Sequence, residues 1–248
     1  MKKRDLVFVL YVIISFSTEA QNRLFIQKEA KSKSEFKSEK ERHSFETHFF
    51  NGIRQKALGN IEAATEEFKK CIYIAGTKAT PMYELALLYH NLSQYEEALF
   101  FAEGATAIQE KNIWYQQLKS QLYISNQKYT EAIDSYKKLL KIKPNNEEWQ
   151  FQLASTYLLN NQPYKAIDIY NKIEDHVGVN EMLSLQKHRI YLQINDKKRA
   201  QEELEKWLYK DPENLQPYSL LAEHFLLEGN QEEAIKILEK SLKIDTNN

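Results

Sequence analysis

Small and large apolar residues recur along this chain at a fixed long interval. Alanine returns at Ala64, Ala98, Ala132, Ala166, Ala200 and Ala234, each 34 residues after the last, with no insertion or deletion over six copies. Making that alanine position 20 starts the copies at residues 45, 79, 113, 147, 181 and 215. Position 8 is then small in five copies, as Gly52, Ala86, Ser120, Ala154 and Ala222. Position 11 is aromatic in five, as Tyr89, Tyr123, Tyr157, Tyr191 and Phe225, with Gln55 the exception. Position 24 holds Phe68, Ala102, Tyr136, Tyr170, Leu204 and Leu238. Small residues at 8 and 20 let two helix backbones approach, and the larger ones at 11 and 24 fill the space beside them. Turn-forming pairs separate the two halves of a copy: Gly59-Asn60, Ser93-Gln94, Asn161-Gln162, Asn195-Asp196 and Gly229-Asn230. Pro144 and Pro212, at position 32, close the second half. The pattern predicts an all-α solenoid of antiparallel helix pairs, one pair per copy.

These positions resemble the tetratricopeptide repeat family, over residues 45–248. The third copy carries the likeness most fully, from Tyr129 through Ala132 and Tyr136 to Pro144. At position 4, where the family usually has Trp, stand His48, Met82, Gln116, Gln150, Ser184 and Tyr218. The resemblance implies a right-handed superhelix of six repeats, at 45–78, 79–112, 113–146, 147–180, 181–214 and 215–248. It also implies a concave groove lined by the first helix of each repeat and a role in binding other proteins. The groove positions hold Phe49, Phe50 and Ile53, then Tyr83, Glu84, His90 and Asn91, then Trp114, Gln117 and Gln121. Phe151, Gln152 and Ser155 follow, then Arg189 and Gln193, then Ser219 and Glu223. Aromatic and amide groups in that mixture suit an extended or helical peptide. For Phe49, Tyr83 and Phe151 a second reading stands, packing between adjacent first helices. The carboxylate clamp of chaperone-binding family members is absent, because its positions hold Phe49, Ile53, Glu84, Trp114 and Leu118.

Residues 1–20 read as a secretory signal peptide. Lys2, Lys3 and Arg4 precede an apolar run from Leu6 to Phe16, and Thr18 and Ala20 flank a cleavage site before Gln21. The run is shorter than the roughly 20 residues a membrane-spanning helix needs, which favours cleavage over a retained anchor. The chain is therefore expected to be exported, to a periplasm or other extracytoplasmic space. Residues 21–44 mix Lys, Glu and Ser, as a linker or a solvated leading helix.

Charge and chemistry narrow the function. With 34 basic and 35 acidic residues, the net charge of −1 gives no footprint for nucleic acid. The six histidines form no metal-binding spacing, with one another or with the single cysteine, Cys71, and the six glycines form no phosphate loop. Cys71 sits at position 27 of a second helix, normally a buried small residue. No cofactor, metal or catalytic residue is expected. The expected role is that of a non-catalytic adaptor.

Two irregularities remain. In the fifth repeat Lys187 and His188 fill positions 7 and 8, and Gly178 replaces the proline before it, which reads either as ordinary drift in a tolerant fold or as a hinge between repeats four and five. In the last helix Ile235, Leu238 and Leu242 form an apolar edge that a second copy, a partner or a continuation of the natural chain would cover. Self-assembly through that edge is the alternative to the adaptor reading.

Overall fold

A computed structural model describes residues 36–245. Those residues form twelve helices and no strand. In chain order they are α1 (Glu39–Ala57), α2 (Ile61–Ile74), α3 (Ala79–Asn91), α4 (Tyr95–Ile108), α5 (Ile113–Ser125) and α6 (Tyr129–Ile142). Then come α7 (Glu147–Leu159), α8 (Pro163–Val177), α9 (Glu181–Gln193), α10 (Lys197–Lys210), α11 (Leu215–Leu227) and α12 (Gln231–Asp245). Odd-numbered helices are the first of each pair and even-numbered ones the second. The signal-peptide expectation falls outside the described residues. So does most of the charged segment after it, although from Glu39 that segment already belongs to α1.

The helices form two compact units, one ending at Leu139 and the next beginning at Leu140. In the first unit, α1 packs on α2 and α3 on α4, and α2 and α4 also meet the helices that follow them. In the second unit, the pairs α7–α8, α9–α10 and α11–α12 pack in the same way.

The alanine register fixes where the helices cross. All six position-20 alanines are buried, because each lies where its partner helix runs closest. Opposite them, position 8 must be small. A Cβ built on Gly52 would stand 2.7 Å from the Phe68 ring. At the equivalent site of α5, Ser120 donates to the Ser135 hydroxyl of α6 at 2.7 Å, so a buried polar residue is satisfied there.

Each helix hairpin turns through one left-handed residue at position 15. Gly59 (φ 77°), Ser93 (φ 58°), Gln127 (φ 58°), Asn161 (φ 52°), Asn195 (φ 59°) and Gly229 (φ 79°) share this conformation. Only two of the six are glycine, so four turns accept the steric cost of a side chain at positive φ. Asparagine at position 34 starts the next pair. Asn112, Asn146, Asn180 and Asn214 each accept hydrogen bonds from backbone N–H groups of the following helix. Lys78 holds the same position before α3 without a side-chain cap, and its ammonium lies 5.1 Å from the Phe36 ring centroid.

Candidate functional site

The groove positions all lie on first helices, and none of the predicted groove residues is fully buried. In the first unit, Phe49 is half-buried. Its ring stacks parallel on Phe45 at 6.0 Å and meets Phe68 at 5.9 Å and Phe50 at 6.1 Å. It packs against the cluster of Ala64, Phe68, Leu85 and Leu88, so it anchors α1. Phe50, the next residue, turns outward and is 68% exposed. Tyr83 sits 4.7 Å from the Tyr115 ring, and burial, then the nearby Glu84 carboxylate, push its phenol pKa up.

Glu84 is already engaged. Its Oε2 lies 2.6 Å from Nζ of Lys56, which joins position 12 of the first repeat to position 6 of the second. His90 meets the Tyr95 ring at 5.9 Å, and Asn91 is exposed. On α5, Trp114 is 66% exposed, while Gln117 and Gln121 are half-buried. The first unit therefore presents outward-facing aromatics, Phe50 and Trp114, beside an internally neutralised ion pair.

In the second unit, Phe151 is half-buried with its ring 5.8 Å from Tyr170. Burial raises the Tyr170 pKa, and a hydrogen bond with the exposed Ser155 works against that rise. Arg189 and Glu223 are exposed. Arg189 borders an open cavity of about 360 Å³ with Glu181, Met182, Leu185 and Gln186, all on α9. Sequence reasoning named only Arg189 there. Met182, Leu185 and Gln186 occupy positions 2, 5 and 6 of the same repeat, so the register alone would have found them. Lys56 was missed in the same way, at position 12.

The irregular residues of the fifth repeat form a packed ionic junction. Lys187 has no exposed side-chain surface. Its Nζ donates to both Glu174 carboxylate oxygens at 2.8 Å and to Asn171 Oδ1 at 3.2 Å, and lies 2.7 Å from Glu203 Oε2. Glu203 Oε1 in turn accepts from Lys206 at 3.0 Å. His188, oversized for position 8, reaches the Ala200 carbonyl through Nδ1 at 2.9 Å. The feature that reads as a hinge in sequence is thus filled by contacts between α8, α9 and α10.

Cys71 is held as an unreactive thiol. Burial pushes the Cys71 thiol pKa up to about 12, and its Sγ points at the Phe45 carbonyl from 3.7 Å. A thiol so raised is protonated at neutral pH. Among the described residues no group of three or more His, Cys, Asp or Glu is placed to hold a metal ion, and no helix is long and apolar enough to cross a membrane.

Comparison with known proteins agrees with this geometry. A family model described as tetratricopeptide repeat matches residues 79–112 and 215–248, and one described as TPR repeat matches residues 121–161. The first two stretches coincide with the second and sixth copies of the alanine register. Among solved structures, a tetratricopeptide repeat protein from Parabacteroides merdae shares 17% identity over 81% of this chain and 80% of its own, with a TM-score of 0.59. The structure of Naa15/Naa10 bound to HypK-THB shares 21% identity over 80% of this chain, at a TM-score of 0.64, and is matched over 31% of its own chain. Pseudomonas aeruginosa PilF shares 13% identity over 85% of this chain and 100% of its own, at a TM-score of 0.50. At these identities the likeness is one of fold. No curated protein sequence matches the chain.

Proposed function

Because the chain is a tetratricopeptide-repeat protein, we propose that it is a non-catalytic scaffold that holds a peptide or helix of a partner protein against its first helices. The fold itself is one of protein–protein interaction. The observation that carries the finer reading is the exposure of Phe50 and Trp114 on the groove positions of α1 and α5, 68% and 66% respectively. Large aromatics left in water on a rigid helical face act as anchors, because burying one removes much apolar area at little conformational cost. The Lys56–Glu84 pair supports an uncharged ligand segment at that point, since neither charge is free to select an opposite one. A photo-crosslinking residue at position 117, one turn along α5 from Trp114, used in cells that make the protein, tests the reading. Capture of defined partners that Trp114→Ala abolishes would support it, and capture that is indifferent to Trp114 would sink it.

The place of action proposed is the cell envelope, periplasmic or otherwise extracytoplasmic. Support comes from the charged and apolar segments of residues 1–20 and the Thr18/Ala20 cleavage pattern. Mass measurement of the protein recovered from cell fractions decides it. An intact N-terminus in the cytosolic fraction would refute export.

A second reading rests on one observation in the last repeat. Ile235, Leu238 and Leu242 on α12 are all exposed, where positions 21 and 24 of the first four repeats are buried. Pairing of two copies through α12 would cover them. Light scattering distinguishes the readings. A concentration-dependent dimer abolished by Leu238→Lys favours self-assembly, and a monomer at all concentrations removes it.

A further inference from the structure

At the first, fourth and fifth junctions between successive repeats, position 28 of one repeat meets positions 7 and 23 of the next. At the first junction these are Ile72, Leu85 and Phe101, packed in one cluster. At the fifth they are Leu208, Leu221 and Ile237, again in one cluster. The third has Leu140, Leu153 and Ile169 at the same positions. The second and fourth junctions are built otherwise. Thr106, Lys119 and Ser135 fill the second, and Glu174, Lys187 and Glu203 fill the fourth. Apolar and polar junctions therefore alternate along the chain, and the fourth is fully ionic.

All three positions are charged at that junction, and Lys187 pairs with both carboxylates, although the buried Glu203 Oε2 has the ion contact alone and no hydrogen bond. Lys187 lies between Glu174 of α8 and Glu203 of α10, with Asn171 and Lys206 completing the network. Stability alone does not require this arrangement, since well-packed apolar residues of similar volume do as well or better than a buried ion pair. What the ions add is discrimination. Each repeat presents the same two kinds of face, so the apolar junctions are chemically interchangeable, and a chain folding near another copy can pair its repeats out of order or between molecules. Placing Lys187 against Ile72, Leu140 or Leu208 would take away the Glu174 carboxylate and Asn171, leaving Glu203 of its own repeat as its sole buried counter-charge. Placing Glu174 against Leu85 or Leu221 would bury a carboxylate with no cation. Both arrangements are rejected by desolvation.

We propose that the Glu174–Lys187–Glu203 triad is a pairing code, which disfavours joining repeats four and five to the repeats with apolar junctions and so suppresses exchange of repeats between copies. The inference does not rest on the binding role above.

The test uses the full chain in isotope-light and isotope-heavy forms, unfolded together in urea, refolded, and weighed by native mass spectrometry. Two triple variants are compared with the wild type. Glu174→Leu, Lys187→Leu, Glu203→Ile copies the residues of the fifth junction, and Glu174→Gln, Lys187→Met, Glu203→Gln keeps the shape without charge. In both, the share of mixed-copy oligomers is expected to rise by about tenfold or more, because the penalty on wrong pairing is gone. Lys187→Met alone is expected to unfold at lower urea than the uncharged triple variant, since it strands two carboxylates. A wild-type share of mixed oligomers in either triple variant would overturn the proposal. So would failure of both to fold, because a network that folding itself requires is not a pairing code.

Discussion

A methyl group on Gly52 would stand 2.7 Å from the buried ring of Phe68, closer than real Cβ atoms approach any neighbour. That single distance explains why position 8 is the smallest point of the first repeat, while the repeats with alanine there have Ala102, Tyr170 or Leu238 in place of Phe68. Phe68 is fully buried, and Phe49 of the same helix as Gly52 meets its ring at 5.9 Å, which leaves it little room to yield. Gly52→Ala is expected to destabilise the protein by about 2 kcal/mol, the usual cost of overpacking a filled core. Phe68→Leu in the same chain should recover part of the loss. Urea midpoints of the two single variants and the double variant check this, and strict additivity would show that the ring is not the obstacle.

The hairpin turns offer the opposite sign. Ser93 and Gln127 hold the left-handed conformation that Gly59 and Gly229 hold at the same position of other repeats. A side chain there costs about 1 kcal/mol relative to glycine, offset partly by the freedom glycine gives the unfolded chain. Ser93→Gly and Gln127→Gly should each raise stability by about 0.5 kcal/mol. Gly59→Ala should lower it by about 1 kcal/mol. Thermal melts of the three variants test the pattern, and a destabilised Gln127→Gly would refute it.

These two cases mark what the sequence makes legible. The alanine register announces the helix pairs because close backbone approach admits few residue types, and the same constraint recurs in every copy. The turn conformation is hidden at Ser93 and Gln127, since neither residue type signals positive φ. The groove was legible as a set of positions but not as roles. Phe49 and Phe50 are neighbours of the same type, yet one packs on Phe68 and the other faces water. Lys187 reads as a defect because its partners, Glu174 and Glu203, lie on two other helices and only the packing brings them to it.

Binding should separate the outward aromatics from the packed ones. Trp114→Ala and Phe50→Ala are expected to leave the unfolding midpoint within about 0.5 kcal/mol of wild type, as exposed substitutions usually do. Each is expected to weaken capture of the partner by about tenfold, the loss of one aromatic anchor. Phe49→Ala should instead destabilise the fold by about 3 kcal/mol, through the cavity left beside Phe68. Parallel melts and partner titrations check the division. A Trp114→Ala protein that binds normally would remove Trp114 from the interface.

His224 gives a prediction in pH. It occupies position 10 of the sixth repeat, where Leu88 and Leu122 stand in the second and third, and it is 4% exposed. Its Nε2 has no hydrogen-bond partner, and the Glu228 carboxylate is 3.7 Å away, beyond a hydrogen bond. Burial lowers its pKa below the ordinary 6.5, outweighing the pull of Glu228 in the other direction. A group with a lowered folded pKa binds fewer protons folded than unfolded, so its contribution to stability is whole above the unfolded pKa. That contribution is lost as pH falls from there through the folded value. His224→Leu removes both this loss and the unsatisfied nitrogen, and should stabilise the protein at pH 7 by about 1 kcal/mol. The advantage of the variant should widen as the pH is taken from 7 to 5, because only the wild type must then keep a buried imidazole from its proton. Urea unfolding of both proteins across that range measures it, and a gap that stays constant or narrows would show that the burial of His224 does not govern its titration.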